Sequence, residues 1–493
     1  MPRYKCNVCH VFEYEESQGD PANGIKPGSK PDDLAGDWRC WICGADKDHL
    51  MPVVERTPEE LEKNIACPIC GRTHSVAEYL HEQEMQTYLA PWHRKSDETE
   101  GHMAEIDKIS LTGKSLNEPM RTTAQVISWN DILILGAQLA SIPLNKDEAV
   151  NTRTVIGPGA RQPLVVETPL IVTHMSYGAL SREVKIALAK GSMAVGTAIG
   201  SGEGGCLEGV ITNASNYIFE YVPNKYSVTE DNLRRASAIE IKFGQSAKPG
   251  MGGHLPAAKV TAEIARIRKK PEGHEIISPA HFPEIMDRAG LKKVVDWLRS
   301  TSEGRPIGIK LAAGKIEDDM MIALSAEPDY ITIDGRPGST GSALKFVKDA
   351  TSVPTVFALY RARKLLDEER ADDVSLVITG GLRISSDFAK ALAMGADAVA
   401  IGIAGLIACG CQQYRLCDTG RCPVGITTQD PKLRARLIID YSAKRLENFL
   451  RVSTEELKEF ARLTGHDDIH KMSNEDLCTV NSEISDYTNI RHA

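Results

Sequence analysis

From about residue 160 to 430, short apolar and β-branched runs alternate with longer segments whose charged residues recur at helical spacing. This alternation predicts βα units around a parallel sheet. The predicted strands are Leu170–Thr173, Gly196–Ile199, Ile239–Lys242, Ile307–Lys310, Tyr330–Ile333, Val353–Val356, Leu376–Thr379 and Ala398–Ile401. Eight strands over roughly 240 residues favour an α/β fold of the (β/α)8 TIM barrel type, because a doubly wound sheet would usually show Gly-x-Gly-x-x-Gly after its first strand.

The segments on either side of the barrel have different patterns. Residues 1–52, dense in turn residues and cysteine, are predicted to form a small metal-bound domain, and residues 53–120 form a polar linker region with an additional Cys-x-x-Cys pair. We place the barrel at residues 121–430. Residues 431–493 carry Leu-x-x-Phe spacing and are predicted to form helices that cap the barrel.

Charge and hydropathy narrow the class of partner. The 493 residues carry a net charge of -9 and contain no basic block, which argues against nucleic acid or an anionic membrane as the main partner. The longest apolar run, Ala398–Cys411, falls short of the roughly 20 residues that span a bilayer, so it is predicted to be a buried strand running into a helix. Because the N-terminus lacks an apolar signal region and the cysteines cluster at ligand spacing, we expect a cytoplasmic protein.

Two Cys-x-x-Cys pairs, Cys6/Cys9 and Cys40/Cys43, predict a tetrathiolate metal site. A tetrahedral ion would supply the folding energy that so short and turn-rich a segment lacks. The spacing leaves zinc and iron open. A third pair, Cys67/Cys70, has no obvious partner pair, so a further metal there and a reduced thiol pair are both open.

The residues between the first two pairs resemble rubredoxin over residues 3 to 50. They are Gly19-Asp20-Pro21, Gly24-Ile25, Pro27-Gly28 and Asp37-Trp38, followed by Gly44 after the last cysteine. The resemblance implies one redox-active iron, and a structural zinc ribbon is the alternative. The sequence departs from that family at His10, where Gly is usual, and at Trp41, where Pro is usual.

Distinctive residues follow the predicted strands, where barrel enzymes collect their chemistry. Paired Gly380 and Gly381, with Gly402 after the last strand, would leave backbone N–H groups free to bind a phosphate. Lys310 would point into the barrel mouth and needs an anionic or electron-rich partner such as a flavin carbonyl, or else a pair with Asp334. The other candidates at strand ends are Met175, Ser176, Tyr177, Gly178 and Gly335.

A lysine loop runs from Lys242 to His254 and combines two lysines with four glycines, so it could wrap tightly around a small acid. A solvated flexible loop is the alternative. Lys248 is the second of these lysines. Arg268, on the following helix, could add a bidentate contact to a carboxylate, although helix arginines are usually surface residues.

A third cysteine set, Cys411-x5-Cys417-x4-Cys422-Pro423, directly follows the last predicted strand. Three thiolates with Pro after the third predict an iron-sulfur cluster of the [3Fe-4S] type within a loop spanning 409–425. Cys409 could in principle be a fourth ligand, but it lies too close to Cys411 for both to chelate comfortably.

Several of these motifs together resemble the FMN-binding synthase domain of glutamate synthase, over roughly residues 125 to 470. The motifs are Met175-Ser-Tyr-Gly178, Ser201-Gly-Glu-Gly-Gly205, Ala247-Lys-Pro-Gly-Met-Gly-Gly253, Ile277-Ser-Pro279 and Cys411 to Gln429. The resemblance implies that 2-oxoglutarate and ammonia form 2-iminoglutarate, which FMN hydride reduces to L-glutamate. It is of the archaeal type, in which glutaminase and β-helical domains are separate polypeptides, so we expect ammonia from a separate glutaminase or from free ammonium.

Roles carry over from the resemblance position by position. Lys248 and Arg268 would hold substrate carboxylates, and Glu203 and Lys242 would lie between substrate and flavin. The residues implied for FMN are Lys310, Gly380, Gly381 and Gly402, with the other candidates at the strand ends beside them. Two departures touch the substrate side: His254 stands where the family usually has Gln, and Met251 where it has Glu.

Electron transfer gives an independent argument. Rubredoxin iron and an iron-sulfur cluster each pass one electron, whereas imine reduction needs two, and a flavin converts between them. With no nicotinamide fingerprint in the sequence, we expect an external redox protein such as ferredoxin or rubredoxin reductase as donor, and an oligomeric enzyme. The alternatives are an oxidoreductase for another 2-oxo acid, imine or N-methylated amino acid, and a non-catalytic electron-transfer subunit.

Overall fold

The computed structural model describes residues 2–8, 12–53, 64–66, 73–75 and 96–493. The chain divides into two compact units, Met1–Leu116 and Asn117–Ala493. Within the described residues, no helix combines the length and hydropathy that crossing a bilayer requires.

The first unit contains a small antiparallel sheet around a cysteine-containing core. Its elements are β1 (Arg3–Cys6), β2 (Glu13–Glu15), β3 (Leu50–Pro52), β4 (Asn64–Ala66), β5 (Thr73–Ser75) and α1 (Met103–Thr112). β1 is the central strand, with β2 and β3 as its neighbours. Phe12, Tyr14 and Trp38 pack around the buried Cys6 and Cys40. β4 and β5 pair with each other, and Cys67 and Cys70 on the segment between them lie outside the described residues.

The second unit contains a closed barrel of eight parallel strands. The strands of this unit, in the barrel and outside it, are β6 (Ile132–Ile134), β7 (Thr154–Ile156), β8 (Leu164–Val166), β9 (Leu170–Val172), β10 (Ala198–Gly200), β11 (Asn216–Tyr221), β12 (Ala238–Lys242), β13 (His254–Leu255), β14 (Ile276–Ile277), β15 (Ile307–Ala312), β16 (Tyr330–Asp334), β17 (Ser375–Thr379), β18 (Ala398–Ile401), β19 (Leu477–Thr479) and β20 (Arg491–His492). Around the barrel the order is β9, β10, β11, β12, β15, β16, β17 and β18, which pairs again with β9. The strands are almost completely buried because helices cover the barrel from outside.

The helices of this unit follow the barrel strands or extend beyond them. They are α2 (Arg182–Ala194), α3 (Glu208–Ile211), α4 (Glu230–Arg235), α5 (Ala262–Arg268), α6 (Arg288–Thr301), α7 (Ile316–Leu324), α8 (Lys345–Ala350), α9 (Thr355–Glu368), α10 (Ser385–Ala393), α11 (Ile403–Ala408), α12 (Pro431–Arg434), α13 (Ile439–Thr464) and α14 (Ser482–Tyr487). The long α13 packs against α2, where a side chain at Gly191 would collide with Leu446.

The end of the barrel where the strands begin is plugged by apolar residues. β7 and β8 form an antiparallel hairpin, and its Ile156, Leu164 and Val166 pack with the inward-facing Ile171 and Ala198 of the barrel strands. The strands therefore open to a cavity at their carboxyl ends, where barrel enzymes carry their active sites.

Seven of the eight predicted strands are confirmed to within two residues at each end. The prediction of Val353–Val356 as a strand is wrong, because Pro354 precedes the first turn of α9 and helix begins at Thr355. Two β-branched valines in a short apolar run resemble a buried strand. The strand that sequence reasoning missed is β11, which opens with the polar Asn216 and carries Glu220 near its end. The apolar run Ala398–Cys411 is confirmed as a buried strand leading into a helix.

Candidate active site

A cavity of about 210 Å3 lies at the carboxyl ends of the barrel strands. The predicted site residues that line it are Met175, Ser176, Glu203, Lys242, Lys248, His254, Lys310, Asp334, Gly380, Gly381, Gly402, Cys411, Cys417 and Cys422. Four others, Tyr177, Gly178, Arg268 and Gly335, are not among its lining residues. The structure thus brings together residues that lie more than 240 positions apart in the sequence.

Glu203 and Lys242 form an ion pair on the wall of this cavity. Lys242 is the last residue of β12, and its Nζ lies 2.8 Å from Oε2 of Glu203, in the loop after β10. Burial would raise the pKa of Glu203, but the charge and hydrogen bond of Lys242 outweigh burial and hold the pKa at about 2. Burial likewise opposes the charge of Lys242, and Glu203 and Glu220 raise its pKa above the ordinary value. Both groups are therefore charged at neutral pH.

Gly253 lets the lysine loop close over this pair. A side chain at this position would collide with the carboxylate of Glu203. The glycine is therefore required by close approach of the loop backbone to the carboxylate, and Glu203 is held between Lys242 and the loop.

Lys248 is a buried cation that faces the cavity from the same loop. Its side chain is almost fully buried, and among residues 96–493 no group accepts a hydrogen bond from its Nζ. Burial and the charge of Lys242 lower the pKa of Lys248 to about 8. An ammonium with no acceptor in a largely buried cavity favours an anionic ligand such as a carboxylate.

Lys310 and Asp334 form the ion pair that the sequence offered as one of two alternatives. Lys310 pairs with Asp334 on the neighbouring strand at 3.8 Å, and both side chains also line the cavity. Burial raises the pKa of Asp334, an effect that Lys310 partly offsets. The pair places a cation and a carboxylate together on the cavity wall.

The glycines after β17 make room for the backbone of the neighbouring loop. Gly380 has a φ of +115°, and a side chain there would collide with the backbone of Gly335. Arg383, which sequence reasoning missed, lines the cavity just beyond these glycines. Burial and the charge of Arg121 lower the pKa of Arg383 to about 10. An anion would relieve that repulsion, so glycine N–H groups and Arg383 together suit a phosphate.

A buried hydrogen-bond network lies deeper in the barrel, and sequence reasoning missed it too. Nε2 of His174 lies 3.2 Å from Oε1 of Glu240, and the Gly202 N–H donates to Nδ1 of His174 at 3.2 Å. Thr332 donates to the other oxygen of Glu240 at 2.5 Å. The available signal was Glu240 itself, together with Glu220, as a charged residue inside an apolar strand.

The residues predicted on the substrate side separate into two groups. His254 lines the cavity, where its Nε2 lies 2.6 Å from Oε1 of Glu275. Arg268 is buried behind the cavity wall, where it donates to the backbone oxygen of Tyr177 at 2.7 Å and stacks over the Tyr226 ring. In this arrangement Arg268 supports the loop after β9 instead of facing the cavity.

Cys411, Cys417 and Cys422 are buried and line the same cavity, whereas the buried Cys409 does not. Burial acts to raise the pKa of Cys422, but hydrogen bonds from Thr427, Ile426 and Val424 outweigh it and lower the pKa. These bonds stabilise a thiolate, the form that binds metal.

The three sulfurs do not form a compact group of ligands for one metal ion. Among the described residues, the compact metal-ligand groups whose atoms all lie within 4.8 Å of one another do not include this trio. Three sulfurs about 2.3 Å from one ion would be no more than about 4.6 Å apart. At least one pair of these sulfurs is therefore farther apart than the ligands of a single ion would be.

In the first unit, Cys6, Cys40 and Cys43 have sulfur atoms within 4.8 Å of one another, and Cys6 and Cys43 are 3.6 Å apart. Cys9, the predicted fourth ligand, lies outside the described residues. Sulfurs this close suit one tetrahedral ion.

Comparison with known proteins finds two family matches along the chain. Residues 103–467 match a family described as the conserved region in glutamate synthase, and residues 3–50 match rubredoxin. An archaeal glutamate synthase [NADPH] of Methanocaldococcus jannaschii is 38% identical over 373 residues, which are 74% of this chain and 72% of that protein. A glutamate synthase large subunit-like protein of Rhizobium meliloti is 34% identical over 78% of this chain and 91% of that protein. A mandelate oxidase structure covers 69% of this chain and 85% of its own, with a TM-score of 0.45 and 16% identity.

The barrel, its cationic cavity and the adjoining cysteines, taken with the glutamate synthase family match and relatives, define an FMN-dependent oxidoreductase. The chain belongs to the glutamate synthase family, and its N-terminal part is a rubredoxin domain, which supports iron at the first cysteine set.

Proposed function

We propose that this chain reduces 2-iminoglutarate, formed from 2-oxoglutarate and ammonia, to L-glutamate, with electrons from its iron centres. The observation that carries the proposal is the group of Glu203, Lys242 and Lys248 at one cavity, whose wall also contains three cysteines. Relatives named glutamate synthase support the substrate. Ammonia would come from a separate glutaminase or from free ammonium.

The cavity fits FMN on the chemistry of its own residues. The Gly380–Gly381 backbone and Arg383 would hold the phosphate, and Lys310 would lie against the electron-rich ring carbonyls. When bound, FMN supplies hydride chemistry and converts single electrons into electron pairs. The chain's own residues would orient the substrate and balance its charge.

On the substrate side, Lys248 would bind a carboxylate through its free ammonium. Lys242, already balanced by Glu203, would keep the carboxylate of Glu203 ionised and in place beside the reacting atoms. Glu203 would in turn stabilise the positive charge of a protonated imine, since an opposite charge in a low-dielectric cavity favours the ionised form. Cys411, Cys417 and Cys422 would hold a [3Fe-4S] cluster against the same cavity.

The test is to reduce the purified full-length protein anaerobically and mix it with 2-oxoglutarate and ammonium. We expect the flavin absorbance to return with formation of glutamate, and we expect NADPH alone to leave the oxidised protein unreduced, since the proposed donor is ferredoxin or rubredoxin reductase. A flavin that stays reduced with this substrate pair, yet is reoxidised by an artificial acceptor, would contradict the proposal.

A second candidate is an oxidoreductase for a 2-oxo acid with a single carboxylate. The observation that favours it is Arg268, which donates to the Tyr177 backbone and does not line the cavity. A dicarboxylate would then lack the predicted second cationic partner. Reoxidation by pyruvate plus ammonium at a rate exceeding that of 2-oxoglutarate would favour this candidate.

Replacing Arg383 by alanine is expected to weaken FMN binding by about 10- to 100-fold, because a hydrogen bond to a charged group contributes about 1.5–3 kcal/mol. Flavin fluorescence during titration of the deflavinated protein measures this. Arg361→Ala is the matched control, since Arg361 on α9 pairs with Glu317 outside the cavity and should leave affinity unchanged. Equal affinities in the two variants would count against a phosphate site at Arg383.

The KM for 2-oxoglutarate is expected to rise as the pH increases through about 8, because Lys248 is charged below its lowered pKa of about 8 and neutral above it. Lys248→Arg should move this rise to higher pH, since arginine stays protonated. Lys248→Met should raise KM below pH of about 8, where the wild-type lysine is charged, and remove the inflection. Steady-state kinetics over the neutral and alkaline range measure all three, and an unchanged inflection in the arginine variant would assign it to another group.

A further inference from the structure

Lys259 is a buried cation to which the proposed chemistry gives no role. It ends a short 3-10 turn (Ala257–Lys259) between β13 and α5, and only 3% of it is exposed. Its Nζ donates to the backbone oxygen of Cys417 at 2.7 Å and to that of Ala179 at 3.2 Å. The ammonium thus links the loop spanning 409–425, here called the cysteine loop, to the loop that follows β9.

The surroundings of this ammonium contain neutral acceptors rather than a paired anion. Among residues 96–493, Nζ of Lys259 forms no ion pair with a carboxylate. The stem of Lys259 runs beside the cysteine loop, since a side chain at Gly420 would meet its Cγ and Cε at 3.5 Å. A buried ammonium is costly unless an opposite charge compensates it. The groups near this ammonium that carry negative charge when ionised are Cys417, Cys422 and Asp418.

We propose that Lys259 is a positioning residue that raises the reduction potential of the cluster held by Cys411, Cys417 and Cys422. The inference rests on the proposed cluster. On reduction, the cluster gains one electron and no bond forms or breaks, so a set of centres already negative from its thiolates becomes more negative. A fixed ammonium hydrogen-bonded to a ligand residue stabilises that added charge, because the electrostatic interaction is strong in a buried site.

The experiment is an anaerobic redox titration of the full-length holoprotein, following the EPR signal of the oxidised three-iron cluster. Lys259→Met removes the charge and the hydrogen bonds, Lys259→Gln keeps a donor without charge, and Lys259→Arg keeps the charge. We expect the Met and Gln variants to lower the ratio of reduced to oxidised cluster at least tenfold at a fixed potential. This corresponds to a reduction potential lower by about 59 mV for a one-electron couple. Arginine should stay near wild type.

Lys390→Met is the matched control, because Lys390 is also buried and donates to a backbone oxygen, that of Trp129 at 2.8 Å, but does not line the cavity. Its potential should be unchanged. A wild-type potential in Lys259→Met and Lys259→Gln with full cluster content would overturn the inference. So would loss of the cluster from both neutral variants but not from Lys390→Met, since Lys259 would then only hold the loop. Absence of a three-iron signal from the wild type would instead refute the cluster of the proposed function.

Discussion

Replacing Lys242 by methionine is expected to destabilise the protein by about 3–5 kcal/mol, because it leaves the buried carboxylate of Glu203 without its partner. The two groups are 2.8 Å apart, with side chains only 10% and 12% exposed. The pKa of Glu203, now held at about 2 by Lys242, should rise when the ammonium is removed. Denaturant unfolding measures the loss of stability, and we expect turnover to fall more than 100-fold, as for loss of a charged group at a reacting centre.

A double variant separates the two effects. Lys242→Met with Glu203→Gln removes both charges, so it should recover most of the stability without recovering activity. Glu203→Gln alone leaves Lys242 near Glu220 and Asp334, whose negative charges also stabilise the ammonium. This variant should therefore lose less stability than Lys242→Met. If the double variant is no more stable than Lys242→Met, packing rather than charge accounts for the loss. If it recovers activity, the pair has no chemical role.

Replacing Cys411 by alanine is expected to remove the cluster and its acid-labile sulfide while the rubredoxin iron remains. Electrons from an external iron protein should then no longer reach the barrel, and steady-state turnover with that donor should fall below detection. Chemical or photochemical reduction of the flavin should still support a single turnover, because the residues that bind substrate are unchanged. Iron and sulfide analysis with EPR spectroscopy checks the first part, and rapid mixing checks the second.

Cys409→Ala is the matched control for this change. Cys409 is two residues away and also buried, but it does not line the cavity, and burial raises its pKa to about 12. We therefore expect this variant to keep its cluster, sulfide and activity. Loss of the cluster here would make Cys409 a ligand and point to a four-iron centre.

Much of the fold is readable from sequence because barrel strands are buried on both faces. A continuous apolar run such as Ala398–Ile401 can be recognised as a buried strand without knowing which strands pair with it. The failures have local causes. Val353–Val356 has strand-like residues but lies where Pro354 starts a helix, and β11 carries the charged Glu220 near its end. In both places packing against the rest of the barrel decides the outcome.

By itself the sequence determined the residue types and spacings that carry chemistry: the cysteine pairs, the glycines at strand ends and the lysine loop. These patterns can be read from the sequence because a turn or a chelating pair is formed by residues that are close neighbours along the chain. Only the tertiary structure decided which groups meet, since Glu203 and Lys242, or Lys259 and the backbone oxygen of Cys417, come from separate parts of the chain. It also turned Arg268 away from the cavity and added Arg383 to its wall. Closure of the barrel brings distant strand ends to one mouth, and pairing among the side chains there depends on distances that one-dimensional spacing does not contain.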